Sequence, residues 1–207
     1  MVTKISRLKS FSRISFDLQS YRLPVDSSLL VKCEYDTRKS VERVIDKISV
    51  MNIRKAVSSD SLLLSTLCMD VQKLHADAHS DVFKVPQSED FARDFFEEIL
   101  GNDTSFVFIA EENEEALGYI FCNLVERPEN VILYARRHLM IEQISVRPLA
   151  QGRGVGAKLM DRVETAAREL GVSMVQLGSW DFNTNAHGFF ERLGYEKWHF
   201  QFWKRLD

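Results

Sequence analysis

Six consecutive residues, Gln151-Gly152-Arg153-Gly154-Val155-Gly156, restrict what this chain can fold into more than any other stretch. Before them lies a β-prone run, Leu139–Val146, ended by Arg147-Pro148. After them Val155, Leu159, Val163, Ala166, Ala167 and Leu170 repeat with the 3.6-residue period of a helix that Gly171 closes. Glycines between a strand and a helix let the backbone turn tightly, and they set successive N–H groups and the positive end of the helix dipole toward one spot. Such a spot suits a pyrophosphate. Arg153 and Lys158 add positive charge there, Arg153 with the planar fork that phosphate oxygens accept.

Taken alone, the turn admits three readings. Gly152, Gly154 and Ala157 also satisfy the dinucleotide fingerprint G-x-G-x-x-G/A, with Asp181 at a suitable distance downstream. Against that, Arg147-Pro148 and three further residues intervene between strand and glycines, and the segment after Gly156 is too short for the second half of a doubly wound sheet. A helix-start turn with no ligand is the third reading. A nucleotide-triphosphate P-loop fails, since no Gly-Lys-Ser/Thr follows.

At 207 residues, 45% hydrophobic and 28% charged, the chain suits one well-buried globular domain. Residues 1–50 form an N-terminal extension and 51–207 the main domain. The first sixteen residues carry Lys4, Arg7, Lys9 and Arg13, four serines and no acid. That pattern fits either an organellar presequence or a plain extension, and Met51 is then an alternative start. Residues 51–207 hold seventeen Lys/Arg against twenty-four Asp/Glu, which argues against nucleic acid and suits a cationic partner as well as ordinary solubility. Cys33, Cys68 and Cys122 have neither disulfide-scaffold nor zinc spacing, so a reducing, cytoplasmic setting is expected with no metal. Apolar runs such as Phe106–Ala110 fall far short of the roughly 18 residues that span a membrane.

Met51–Val57 alternates as a strand, and Ser58-Ser59-Asp60 caps a helix carrying Leu62, Leu63, Leu67 and Val71. Phe91, Phe95, Phe96 and Ile99 mark a second helix. Ser105–Ala110 and Ala116–Leu124 flank the acidic Glu111–Glu115 turn as a hairpin. Strand Leu139–Val146, helix Val155–Leu170, strand Val172–Leu177, helix Ala186–Leu193 and strand Tyr195–Trp203 complete the order β-α-α-β-β-β-α-β-α-β. This order predicts an α+β fold on a mixed sheet.

Three segments then line up. Gln151-x-x-Gly154-x-Gly156 follows the strand Ile141-Glu142-Gln143-Ile144-Ser145-Val146, and Asn185-Ala186-x-x-Phe189-Phe190-x-x-x-Gly194-Tyr195 comes later. Together they resemble the GNAT superfamily of N-acetyltransferases, whose late segment runs Asn-x-x-Ala-x-x-Phe-Tyr-x-x-x-Gly-Phe. Here Asn185 and Ala186 are adjacent, two residues fewer than in that pattern, and Phe190 stands at the tyrosine position.

The resemblance implies the acyl-CoA N-acyltransferase fold: a mixed, mainly antiparallel central sheet, helices on both faces, and a V-shaped splay between the fourth and fifth strands that holds acetyl-CoA as co-substrate. It implies that Ile144, Ser145 and Val146 lie along the cofactor arm, with the pyrophosphate on Gln151, Gly152, Arg153, Gly154, Val155, Gly156 and Ala157. Asn185 and Phe190 complete the cofactor side. Phe189 reads more simply as core packing.

The implied reaction moves acetyl to an amine. An alkylammonium with a pKa near ~10.4 costs about 4.6 kcal/mol to deprotonate at pH 7, so a base is needed. Glu142 is either that base or an ordinary polar strand residue, and the period of two makes it co-facial with Ile144 and Val146 unless a bulge intervenes. A backbone N–H near Ile144 is placed to meet the developing oxyanion. With Phe190 unable to donate a proton, Tyr195 or water is left to serve the departing thiolate, whose pKa of about 8.5 already makes it a tolerable leaving group. Cys122 has no adjacent base and reads as a packed residue. His75, His79, Phe83 and Trp180 are the candidate acceptor-site residues; His75 and His79 share one helix face and are otherwise solvent-facing or, with a third ligand, metal-binding. A small amine is the expected partner. A macromolecular amine, on protein or aminoacyl-tRNA, and a regulatory CoA-binding module with little activity are the alternatives, and a homodimer is compatible with the sequence.

Overall fold

The structure, a computed structural model, describes residues 50–206. The presequence and extension readings of residues 1–49 lie outside the described residues.

Among the described residues, five strands form one sheet in chain order: β1 Asn52–Lys55, β2 Ser105–Glu112, β3 Glu115–Arg127, β4 Arg136–Val146 and β5 Val175–Leu177. The first four pair antiparallel, and β4 pairs β5 in parallel. Helices α1 Ser61–Ala78 and α2 Arg93–Leu100 cover one face, and α3 Val155–Glu169 and α4 Thr184–Arg192 cover the other. The expected mixed, mainly antiparallel sheet with helices on both faces is therefore present.

A sheet covered on both faces needs apolar side chains at every position, which is why β2 reads as an unbroken run rather than an alternation. Phe108 and Ala110 face α3, packed with Ile120, Leu139, Leu159 and Val163. Val107 and Ile109 face α1 and α2, packed with Leu64, Leu67, Phe96 and Tyr119. The acidic turn between β2 and β3 is a two-residue connection in which Asn113 and Glu114 both take positive φ, 51° and 65°, as a hairpin matched to strand twist requires. At the entry to α1, the Asp60 carboxylate accepts from the Val57 amide at 2.8 Å and is bracketed by the Arg54 guanidinium, which holds it below the usual carboxylate range.

Two features of β4 position the site. Its parallel pairing with β5 covers only Leu139–Ile141 against Val175–Leu177, so among the described residues Glu142–Val146 runs on without a strand partner on that side. This is the splay. Second, β4 is bulged against β3: Gln143 pairs with Phe121 and Ile141 with Cys122, leaving Glu142 as the extra residue. The condition under which Glu142 shares a face with Ile144 and Val146, an unbulged strand, is not met, because one inserted residue breaks the period of two.

β3 approaches β4 closely where Gly118 faces Val146. A Cβ at Gly118 would collide with the Ser145 carbonyl oxygen and press on the Val146 Cα, both backbone atoms that cannot swing away. Gly118→Ala is expected to cost about 1–3 kcal/mol of stability, measured as a lowered urea midpoint with an unchanged slope. An unchanged midpoint would mean the two strands separate there easily.

The last strand expected from sequence, Tyr195–Trp203, is not formed. Residues 193–206 contain no strand, and Trp198, Phe200 and Phe202 are 59%, 73% and 91% exposed. Alternating aromatics supply strand propensity, but a strand also needs a ladder partner, and β5, the neighbouring edge, offers three residues.

Candidate functional site

The glycine turn opens α3. Gly152 and Gly154 take φ of 75° and 81°, and Gly154 is the N-cap residue. These left-handed values are the ones glycine adopts without strain. The first bond of α3 is Lys158 N–H to the Gly154 carbonyl at 3.1 Å; among the described residues, the amides of Gly154, Val155, Gly156 and Ala157 donate to no other group. That leaves a cluster of N–H groups at the positive helix end. No atom lies within 4 Å of a Cβ built on Gly152 or Gly154, so the space over the turn is open. Gly156 has a different reason to be glycine, since its Cβ would come within 3.1 Å of the Phe189 ring. Arg153 forms an ion pair with Glu112 at the end of β2, so its charge is shared between that carboxylate and the turn.

Beside the turn runs the unpartnered half of β4. Arg147 N–H donates to the Leu117 carbonyl at 2.9 Å, so by the strand's alternation the backbone groups of Ser145 face β3 and those of Ile144 and Val146 face the splay. The Gln151 side chain donates to the Val146 carbonyl at 3.2 Å, tying the turn to that edge. Turn amides and free strand edge together suit a long ligand with an anionic group at one end and amide groups along its length.

The bulge turns Glu142 toward a cavity of about 1120 Å³ between α1, α2 and the sheet, where Gln143 lines the wall beside it. Glu142 is exposed and accepts from Asn123 Nδ2 at 3.3 Å. Its neighbours are fixed. The Gln143 side-chain oxygen Oε1 accepts from the buried Tyr119 hydroxyl and from Cys68 Sγ at 3.5 Å, and Ser145 Oγ donates to the Leu67 backbone carbonyl at 2.9 Å. Ser145 thus locks β4 to α1 with its side chain. Burial raises the thiol of Cys68 and the phenol of Tyr119, keeping both protonated as donors.

The four candidate acceptor residues gather into one aromatic cluster. His75 stacks on Phe83 at 4.8 Å, His79 lies 5.2 Å from Trp180, and Phe83 meets Trp180 edge-on at 5.0 Å. Phe182, not singled out from sequence, joins both histidines. Of the five, only Phe83 lines the cavity. The others form the outer side of its wall, clasping the segment after α1 to the segment after β5. Burial, and next the charge on His79, lowers the His75 pKa.

Tyr195 and Phe190 belong to the opposite layer. The Tyr195 hydroxyl donates to Glu164 on α3 at 3.3 Å, and burial followed by that carboxylate raises its pKa. Phe190 is 8% exposed and packs on Phe189 and Tyr195 in the core. Cys122 is buried there too, its thiol pushed up to about 12, which suits packing and not nucleophilic attack. Asn185 is exposed on the first turn of α4. Asn183 caps that helix, accepting from the Ala186 amide at 3.3 Å. Asn183-x-x-Ala186-x-x-Phe189 has the Asn-to-Ala spacing that Asn185 lacks; sequence reasoning missed Asn183, and that spacing with its cap chemistry is the signal that points to it.

Comparison with known proteins adds a family. Residues 69–195 match the model of the Acetyltransferase (GNAT) family. The uncharacterized N-acetyltransferase YhfO of Bacillus subtilis is 29% identical over 147 residues, 71% of this chain and 91% of its own length. Among solved structures, the BH1408 protein of Bacillus halodurans superposes with a TM-score of 0.71 at 22% identity, over 75% of this chain and 99% of its own. The aminoglycoside N-acetyltransferase AAC(6')-Iy, in complex with CoA, superposes with a TM-score of 0.60 at 22% identity, over 76% of this chain and 95% of its own.

Proposed function

Because this chain belongs to the GNAT acetyltransferase family, we propose that it transfers acetyl from acetyl-CoA to the amine of a small molecule by direct attack, with Glu142 receiving the ammonium proton. The observations that carry the reading are three elements on and beside β4: unpaired amides at the head of α3, the strand-free edge at Ile144 and Val146, and a cavity that Glu142 lines. The turn from Gln151 to Ala157 would hold the pyrophosphate, and the edge of β4 the arm. Bound there, acetyl-CoA supplies an activated thioester carbonyl.

The rest falls to the chain. Glu142, held by the bulge and approached by Asn123, takes the proton from the ammonium within the cavity. The Ile144 amide faces the splay, where negative charge on the carbonyl oxygen develops. Tyr195, with its hydroxyl engaged by Glu164, is a poor donor in this arrangement, and a thiol pKa of about 8.5 lets water meet the departing sulfur.

Buried Phe190, where a tyrosine was expected, favours one second reading, a CoA-binding module without efficient chemistry. Thiol release from acetyl-CoA over a panel of primary amines separates the two. Turnover of at least one small amine at rates of order 1 per second or above is expected. CoA binding without turnover of any amine would leave the module.

A further inference from the structure

The cavity beside Glu142 has a composition that selects among amines. Phe91, Phe95, Phe121 and Ile99 line it, and Phe95 meets Phe121 edge-on at 6.4 Å. Phe95 is nevertheless 52% exposed, because its ring stands at the cavity and not in the core. Apolar surface left uncovered along a concave wall is the mark of a ligand site. Among the described residues, the ionisable ones other than cysteine that line this space are Glu98, Glu142 and Lys84. Two carboxylates opposed by one ammonium can neutralise one positive charge. A substrate with three or more ammonium groups would have to strip water from each of them against phenyl rings, with no carboxylate to take its place.

From this balance we infer that the acceptor is a monoamine carrying an aromatic or similarly sized apolar body, with its nitrogen at Glu142 and its body against Phe95, Phe91 and Phe121. The inference rests on the proposal that Glu142 marks the transfer end of the cavity. The segment after α1 closes the space over such a body: Gln72 Nε2 donates to the Lys84 carbonyl at 2.7 Å, and Phe83 anchors the same segment to Trp180. Ligand orientation follows from this wall, since the polar groups Asn123, Gln143 and Glu142 lie on β3 and β4, whereas Phe91 and Phe95 stand on the α2 side and Phe121 meets Phe95 from β3.

The test compares phenethylamine, ethylamine, spermidine and sisomicin as acceptors, in wild type and in Phe95→Ser, with calorimetric binding of phenethylamine measured in parallel. The exposure of Phe95 lets the substitution be made without opening the core. Phenethylamine is expected to have the highest kcat/KM of the four, and Phe95→Ser to lower its ratio to ethylamine about tenfold, through KM. A preference for spermidine or sisomicin, or an unchanged ratio in Phe95→Ser, overturns the inference while acetyl transfer stands. Binding of phenethylamine that weakens in Phe95→Ser, with no amine acetylated, keeps the cavity as a site for an aromatic monoamine and removes the transfer reaction. Neither binding nor turnover of phenethylamine overturns the inference.

Discussion

Gly154→Asp is expected to weaken CoA binding at least on the order of a hundredfold while the protein remains folded. Two effects are combined in that substitution, and a companion variant separates them. Gly154 sits at φ 81°, so any side chain there bears left-handed strain, about 1–2 kcal/mol for an ordinary residue and less for Asn or Asp. There is no steric wall to add to it, since nothing lies within 4 Å of a Cβ at this position. The charge outweighs the strain. A carboxylate about 5 Å from one phosphate charge, at an effective dielectric near 20, opposes binding by about 3 kcal/mol, more than a hundredfold. Gly154→Asn has nearly the same size and backbone tolerance without the charge, and it should retain most of the affinity. Titration of CoA into both variants is the measurement. Equal losses in Asp and Asn would assign the effect to backbone shape; no loss in either would remove the phosphate from this turn.

What was legible in the sequence is what local chemistry determines. Gly152 and Gly154 announce positive φ, Gly171 closes α3 at φ 68°, and the acidic residues between β2 and β3 reveal a hairpin, because each depends on a few neighbouring residues. The bulge at Glu142 has no such signature. It exists because Gln143 pairs with Phe121 and Ile141 with Cys122, an arrangement set by a second strand about twenty residues away. The period of two in β4 therefore shows that a bulge would re-aim Glu142, and only the pairing with β3 shows that one forms. The tail after Gly194 shows the opposite failure: Trp198, Phe200 and Phe202 alternate as a strand does, yet pairing depends on an available edge and not on pattern. The aromatic wall of the cavity was half legible. Helical spacing marks Phe91, Phe95, Phe96 and Ile99 as apolar, but only packing shows that Phe96 is fully buried while Phe95 is left open to the cavity.

Glu142→Gln is expected to lower kcat/KM by about 10²–10⁴ near neutral pH, with the loss shrinking as pH rises toward the amine's own pKa near 10.4. The direction follows from what the residue is asked to do. Below that pKa the acceptor arrives protonated, and an enzyme without a base must wait for the rare neutral form. Above it the amine is already competent, and wild type and variant converge. The substitution is a narrow one. A glutamine carbonyl still accepts from Asn123 Nδ2, the bulge is set by the neighbouring pairs, and Gln143 remains held by Tyr119 and Cys68, so neither fold nor CoA affinity should move. Tight CoA binding with a pH-dependent loss of rate is thus the signature of a base at the bulge. A constant fractional loss from pH 7 to pH 10 would show that Glu142 orients the acceptor or shapes the cavity, and that the proton leaves by water instead.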